Sequence, residues 1–150
     1  MSSFTKPLTT TKFLKKTKYR FLGIFWRTRI QQSWVTAKEF RYYIGEEGSD
    51  KFIDVPANFT TDFASVPRAF WIILPPDGIY SQAAVLHDYL YSIRGHLPDG
   101  VIMKRIDCDM LFREAMGVLG VTAAIRNIMY QAVRIFGSIP WNKKIKKGGG

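Results

Sequence analysis

The 150-residue chain has one cysteine, Cys108, so no internal disulfide and no four-thiolate zinc site can form, and the small disulfide-braced class is excluded. Histidine is nearly as scarce. His87 and His96 are the two imidazoles available to exchange a proton near neutral pH. Long apolar runs are missing too: the longest, Ala69 to Leu74, stops at Pro75-Pro76, far short of the roughly 20 residues a membrane-crossing helix requires. Residues 1–18 lack the long apolar core and the small-residue cleavage site of a secretory signal. Acidic residues are absent from the first twenty positions, which hold Lys6, Lys12, Lys15, Lys16, Lys18 and Arg20. With Lys143, Lys144, Lys146 and Lys147 these account for the whole net charge of +10, so the basicity sits at the two ends. Such ends suit attachment to nucleic acid, an anionic lipid surface or an acidic protein, and equally suit solvated tails.

Hydrophobic residues at 47% and charged residues at 23% are the proportions of a folded protein, and 150 residues suit one domain. The organisation read from the sequence is a basic extended arm at 1–18, a single α+β domain at 19–138 and a basic tail at 139–150. Between Tyr19 and Val55 aromatic and β-branched residues recur in short runs, and GEEGSD between RYYI and KFIDV predicts a β-hairpin or small antiparallel sheet. From Pro56 to Gly78 the prolines at 56, 67, 75 and 76 predict an irregular segment despite its large apolar side chains. Phe63, Phe70, Trp71 and Ile72 there suit either core burial or docking on a partner. Three helices follow. Ser81 caps one through about Ile93, the second spans Ile102 to Leu119, and Thr122 caps the third through about Phe136. The third carries Ile125, Ile128, Met129, Ala132, Val133 and Phe136 as a core-facing stripe, with no chemistry assigned to it.

His96 follows Gly95 in a turn, where an exposed loop histidine is the default. His87 lies mid-helix in AAVLHDYLY, and Ala84, His87, Asp88 and Tyr91 share one helix face, opposite Leu86, Tyr89, Leu90 and Ile93. On the second helix Ile102, Ile106, Asp109, Arg113 and Met116 follow helical spacing, while Asp107 and Glu114 point elsewhere. If the two helices pack antiparallel, Asp109 accepts a hydrogen bond from one nitrogen of His87 and leaves the other free to take a proton from water. A buried histidine satisfied by a structural aspartate is the competing reading. Asp88 and Asp62, in TTDFASVP, offer the oxygen donors a hard cation such as calcium takes. Zinc is disfavoured, because the three- or four-residue spacing between histidine ligands is missing.

The TDFASVP segment, the HDYLY helix and the CDMLFREAM helix together resemble a bacteriophage family of unknown function, over about residues 40–137. That resemblance implies a product encoded among virion genes, without supplying an activity. At motif level HDYLY is similar to the HD-x-x-Y helix of secreted phospholipases A2, and RIDCDMLF to the later helix that carries their dyad aspartate. This likeness implies His87 as general base, Asp88 as calcium ligand, Asp109 as the carboxylate orienting His87, and Tyr91 as a hydrogen-bonding support for that aspartate. The disulfides of that family are absent, and no Gly-rich calcium loop precedes the helix; Asp62 is the candidate replacement for a loop ligand.

Two functions follow as expectations. The first is a virion-associated structural protein of tail, baseplate or portal-proximal position, made in the host cytoplasm, with basic arms binding neighbouring virion proteins. The alternative is a metal-assisted hydrolase using His87 and Asp109 on host membrane lipid or another cell-envelope ester or amide. Nucleic-acid binding through the arms has charge alone behind it, since no RNP, helix-turn-helix or zinc-finger signature is present.

Overall fold

The computed structural model describes residues 1–21, 25–63, 70 and 78–142; at positions 15, 17, 19–21 and 25–31 the description is of the backbone. It is an α+β protein in which small antiparallel sheets precede the helices, as the sequence predicts. The strands are β1 (Ser3–Phe4), β2 (Thr10–Phe21), β3 (Phe25–Thr36), β4 (Phe40–Tyr43), β5 (Phe52–Val55) and β6 (Thr60–Thr61), and the helices α1 (Ser81–Ser92), α2 (Arg105–Val118), α3 (Ala123–Phe136) and α4 (Ser138–Asn142). One sheet runs β1-β4-β5 and the other β2-β3-β6, with every pairing antiparallel.

The β4–β5 hairpin is the one read from RYYI-GEEGSD-KFIDV. Alternation decides its faces: Phe40, Tyr42, Ile53 and Val55 point into the core, while Arg41 and Asp54 sit opposite each other on the outside. Their two hydrogen bonds, 2.6 and 2.9 Å, form a bidentate pair that raises the Arg41 pKa.

Residues 1–18 are the segment that the sequence predicts as an extended arm. Their backbone is extended but hydrogen-bonded, with Ser3 and Phe4 on β4 and Thr10 to Lys18 on β3. At the other end α4 occupies Ser138–Asn142, where a tail was predicted; the lysines at 143, 144, 146 and 147 lie outside the described residues.

Of the predicted helices, α1 and α3 match to within a residue or two, and α2 starts at Arg105 rather than Ile102. Asp107 explains that start: its carboxylate accepts the Lys104 backbone N–H at 3.0 Å and caps the first turn. Gly95 closes the α1–α2 connection at a φ of +70°, with Met103 so near that a Cβ would strike its carbonyl oxygen.

The core joins both sheets to the helices, with Trp34 against Phe63 (centroids 4.9 Å apart), Phe59 against Tyr89 (5.5 Å) and Tyr91 against Trp141 (5.0 Å). α1 is its axis. Ser81 to His87 and Tyr89 to Tyr91 are all buried, so the division into a polar and a packing face does not hold: every side of this helix meets protein. The stripe drawn on α2 also shifts. Ile102 and Ile106 are exposed, and Asp109 shares its inward side with Phe112, Ala115 and Met116. On α3, Met129, Ala132 and Val133 are buried whereas Ile128 and Phe136 are about half exposed. Phe63 is buried and Phe70 packs against the core, while Trp71 and Ile72 lie outside the described residues.

Candidate active site

The middle of α1 and the second turn of α2 meet at His87 and Asp109. Both side chains are fully buried, and Nε2 of His87 lies 2.8 Å from Oδ1 of Asp109. One turn further along α1, the Tyr91 hydroxyl donates to the same oxygen at 2.6 Å. The sequence therefore identified three residues that the fold brings together.

It missed two others. Arg134, in the last turn of α3, donates to Oδ2 of Asp109 at 2.6 Å, and Arg105, one turn before Asp109 on α2, stands 3.6 Å from that oxygen. Arg105 also donates to the backbone carbonyls of Val133 and Arg134, at 3.3 and 3.2 Å, and so ties the end of α3 to the start of α2. Its four-residue spacing from Asp109 is a signal present in the sequence. Arg134 has none, because it reaches Asp109 only through the packing of α3 on α2.

Gly137 completes the arrangement. A Cβ there would lie 2.5 Å from the Tyr91 hydroxyl and would also strike the Val133 carbonyl oxygen, so the chain at the α3–α4 joint comes this close only as glycine.

Burial pushes the Asp109 carboxyl up, but the hydrogen bonds from His87, Tyr91 and Arg134 outweigh it and hold the group below its ordinary value. Tyr91 shifts upward, through burial first and then through its bond to the carboxylate, and stays a neutral donor. The neighbouring Cys108 thiol is pushed up to about 12, mainly by burial, which leaves it protonated and poorly nucleophilic at neutral pH.

An ionised carboxylate can only accept, so the hydrogen bond between His87 and Asp109 places a proton on Nε2; in the neutral ring Nδ1 then carries the lone pair. Nδ1 is buried and has no hydrogen-bond partner among the described residues. The ring is fixed by Tyr91 on one side, at 4.2 Å between centroids, and Phe112 on the other, at 4.7 Å. The result is an imidazole with one nitrogen anchored and the other without a partner among the described residues.

The two proposed cation ligands lie near the start of the TDFASVP segment. Asp88 follows His87 on α1 and accepts the hydroxyl of Thr61; the same hydroxyl accepts the Phe63 N–H at 3.0 Å. Thr61 thereby pins Asp62 and Phe63 to α1, with Phe63 held at a φ of +52°, a costly conformation for a large side chain. Among the described residues no group of three or more His, Cys, Asp or Glu stands where it could hold a metal ion. Calcium takes six to eight oxygens, so the described donors alone do not fit it.

His96 is exposed, with Nδ1 3.1 Å from the Arg94 carbonyl oxygen, as expected of a loop histidine. The two described clefts, of about 590 and 750 Å3, are lined by neither His87 nor Asp109. No helix among the described residues is long and apolar enough to cross a membrane.

Residues 34–133 match a protein family described as "Protein of unknown function (DUF1353)". No curated protein and no solved structure matches the chain.

Proposed function

We propose, for a chain that belongs to the DUF1353 family of proteins of unknown function, a hydrolase in which His87 is the general base and Asp109 its orienting partner. The observation that carries this reading is the buried Nδ1 of His87, without a partner among the described residues, on a ring whose Nε2 is fixed by Asp109. Leaving such an atom unsatisfied costs about 1–3 kcal/mol, so a water molecule at Nδ1 is the natural occupant. Nδ1 takes a proton from that water as it attacks an ester or amide carbonyl, and Asp109 stabilises the imidazolium that forms. Tyr91, Arg134 and Arg105 keep the carboxylate ionised and in place.

These are the roles that the likeness to secreted phospholipases A2 implies for His87, Asp109 and Tyr91, and they make a lipid ester the first substrate to try. No step is assigned to a metal ion. Because the His87 ring is fully buried, the reacting carbonyl reaches the water only when the covering chain shifts.

The test is hydrolysis of short-chain phospholipids and chromogenic esters by the wild-type protein and by His87→Gln, with thermal melts run on both. We expect turnover to fall at least a hundredfold in the variant while its cooperative melt persists. A folded wild-type protein that hydrolyses none of them, or a variant of equal activity, would overturn the proposal.

The other reading, a structural component of a bacteriophage tail or baseplate, rests on the sequence resemblance and is favoured by one further observation. The 12-residue strands β2 and β3 form a long basic hairpin suited to contact with a neighbour. Copurification of the protein with purified particles tests it, and the two readings are compatible.

A further inference from the structure

The β2–β3 hairpin keeps one register along its whole length, from the pair Thr10 and Thr36 to the pair Phe21 and Phe25. β6 pairs with it only at Trp34 and Val35, near the base. Beyond that level no strand among the described residues pairs with the ribbon. Phe13 is 53% exposed and Leu14 62%, and since adjacent residues of a strand point to opposite faces, both faces of the ribbon meet solvent there. From Phe13 to Phe21 the strand runs on for about 25–30 Å at roughly 3.3 Å per residue.

Residues 10–36 contain Lys12, Lys15, Lys16, Lys18, Arg20, Arg27 and Arg29, and no Asp or Glu. Lys12, Lys16 and Lys18 are exposed. Aromatic residues gather at the far end of the ribbon, with arginines beside them. At its far end the last pair is Phe21 with Phe25, and Trp26 stands opposite Arg20 on the next rung. Behind them come Tyr19 with Arg27, Lys18 with Thr28, Thr17 with Arg29 and Lys16 with Ile30. In the sequence, Phe21 to Trp26 (FLGIFW) is uncharged and bounded on each side by an arginine.

We infer that the far end of the β2–β3 hairpin docks on an anionic lipid surface, with Phe21, Phe25 and Trp26 at headgroup depth and the flanking arginines and the lysines further back on lipid phosphates. Aromatic residues favour the boundary between hydrocarbon and headgroups, and clustered basic residues are drawn to the negative potential above an anionic leaflet. A nucleic acid would also attract this charge, but a duplex tracked through its phosphates makes no use of the aromatic pair at the end of the ribbon, whereas a lipid interface does. The inference stands apart from the chemistry at His87, which occupies the helical half of the protein.

The experiment is cosedimentation of the full chain with vesicles of phosphatidylcholine alone and of phosphatidylcholine with phosphatidylglycerol, at low and high salt, with duplex DNA as competitor. We expect binding to the anionic vesicles at least tenfold tighter than to the neutral ones, and weakened by 0.5 M salt. Phe21→Ser with Trp26→Ser, and separately Arg20→Glu with Arg27→Glu, should each reduce it at least tenfold with the thermal melt unchanged. Should the aromatic pair misfold, quenching of Trp26 by brominated phospholipid in the wild-type protein, absent in Trp26→Phe, gives the same answer. Equal affinity for the two vesicle types, binding indifferent to the aromatic substitutions, or absence of that quenching would overturn the inference. Tight DNA binding sensitive to charge alone would assign the hairpin to nucleic acid instead.

Discussion

The helical half and the β2–β3 hairpin handle charge in opposite ways. Around Asp109 one buried carboxylate is shared among His87, Tyr91, Arg134 and Arg105: its side-chain hydrogen bonds come from α1 and α3, and Arg105 on its own helix adds an ion pair. On the hairpin seven basic residues stand without an acid among them, and the lysines at 12, 16 and 18 are exposed. A buried charge needs partners in fixed places, because leaving it unpaired in a low dielectric is costly. An exposed charge in water needs none, so it is available for a partner that is not part of the chain. The first arrangement constrains the fold, and the second leaves the fold nearly indifferent to it.

The sharpest way to break that contrast is Asp109→Ala, which leaves two arginines and a histidine facing an empty site and should cost about 3–5 kcal/mol in urea unfolding. Acid should have a related effect on the wild-type protein. The Asp109 carboxyl is depressed in the folded state, so its stabilisation is complete above the value near 4 of an unfolded aspartate and is lost as the pH falls through the lower native one. Stability measured from pH 7 down to pH 2 should therefore fall chiefly below about pH 4, with a shallower fall in Asp109→Asn.

Tyr91→Phe removes one hydrogen bond to the charged group and should cost about 1.5–3 kcal/mol. If it costs nothing, the carboxylate does not depend on the tyrosine, and the support assigned to Tyr91 is wrong. On the hairpin, Lys16→Ser with Lys18→Ser should change stability by less than about 0.5 kcal/mol, since both are exposed and no described acid faces them. A loss of several kcal/mol there would erase the distinction between the two regions. The smallest effect concerns metal: adding calcium to chelator-stripped protein should leave the melting temperature within about 1 °C, because a site that binds only the native state would raise it. A rise of several degrees would mean that Asp62 and Asp88 hold a cation together with donors beyond those described.

How far the sequence foretold this structure depends on how local each cause is. The GEEGSD hairpin and the three long helices follow from turn chemistry and from spacing within single elements, whereas the meeting of His87 and Tyr91 with Asp109 was legible only through the packing assumed for two helices and the motif-level likeness to phospholipases A2. Burial patterns were less legible. Ile102, Ile106, Ile128 and Phe136 sit at helical intervals yet are exposed in part or whole, since which apolar stripe faces inward is settled by neighbouring elements. Arg134 was invisible for the same reason: its partner lies 25 positions away and is reached by helix packing. The pairing of residues 10–21 with 25–36 was missed because the charge of this segment reads as a tail. A two-stranded ribbon nevertheless accommodates lysines readily when both of its faces are wet.

The most direct test of the central claim is nitrogen NMR of the His87 ring in labelled protein at pH 7.5. With Asp109 ionised as the acceptor, we expect the proton on Nε2 and a bare lone pair on Nδ1, and we expect Asp109→Asn to disturb that preference. A proton found on Nδ1, with Nε2 bare, would contradict the assignment of His87 as a base anchored by Asp109 and leave the pair a packing feature of the core.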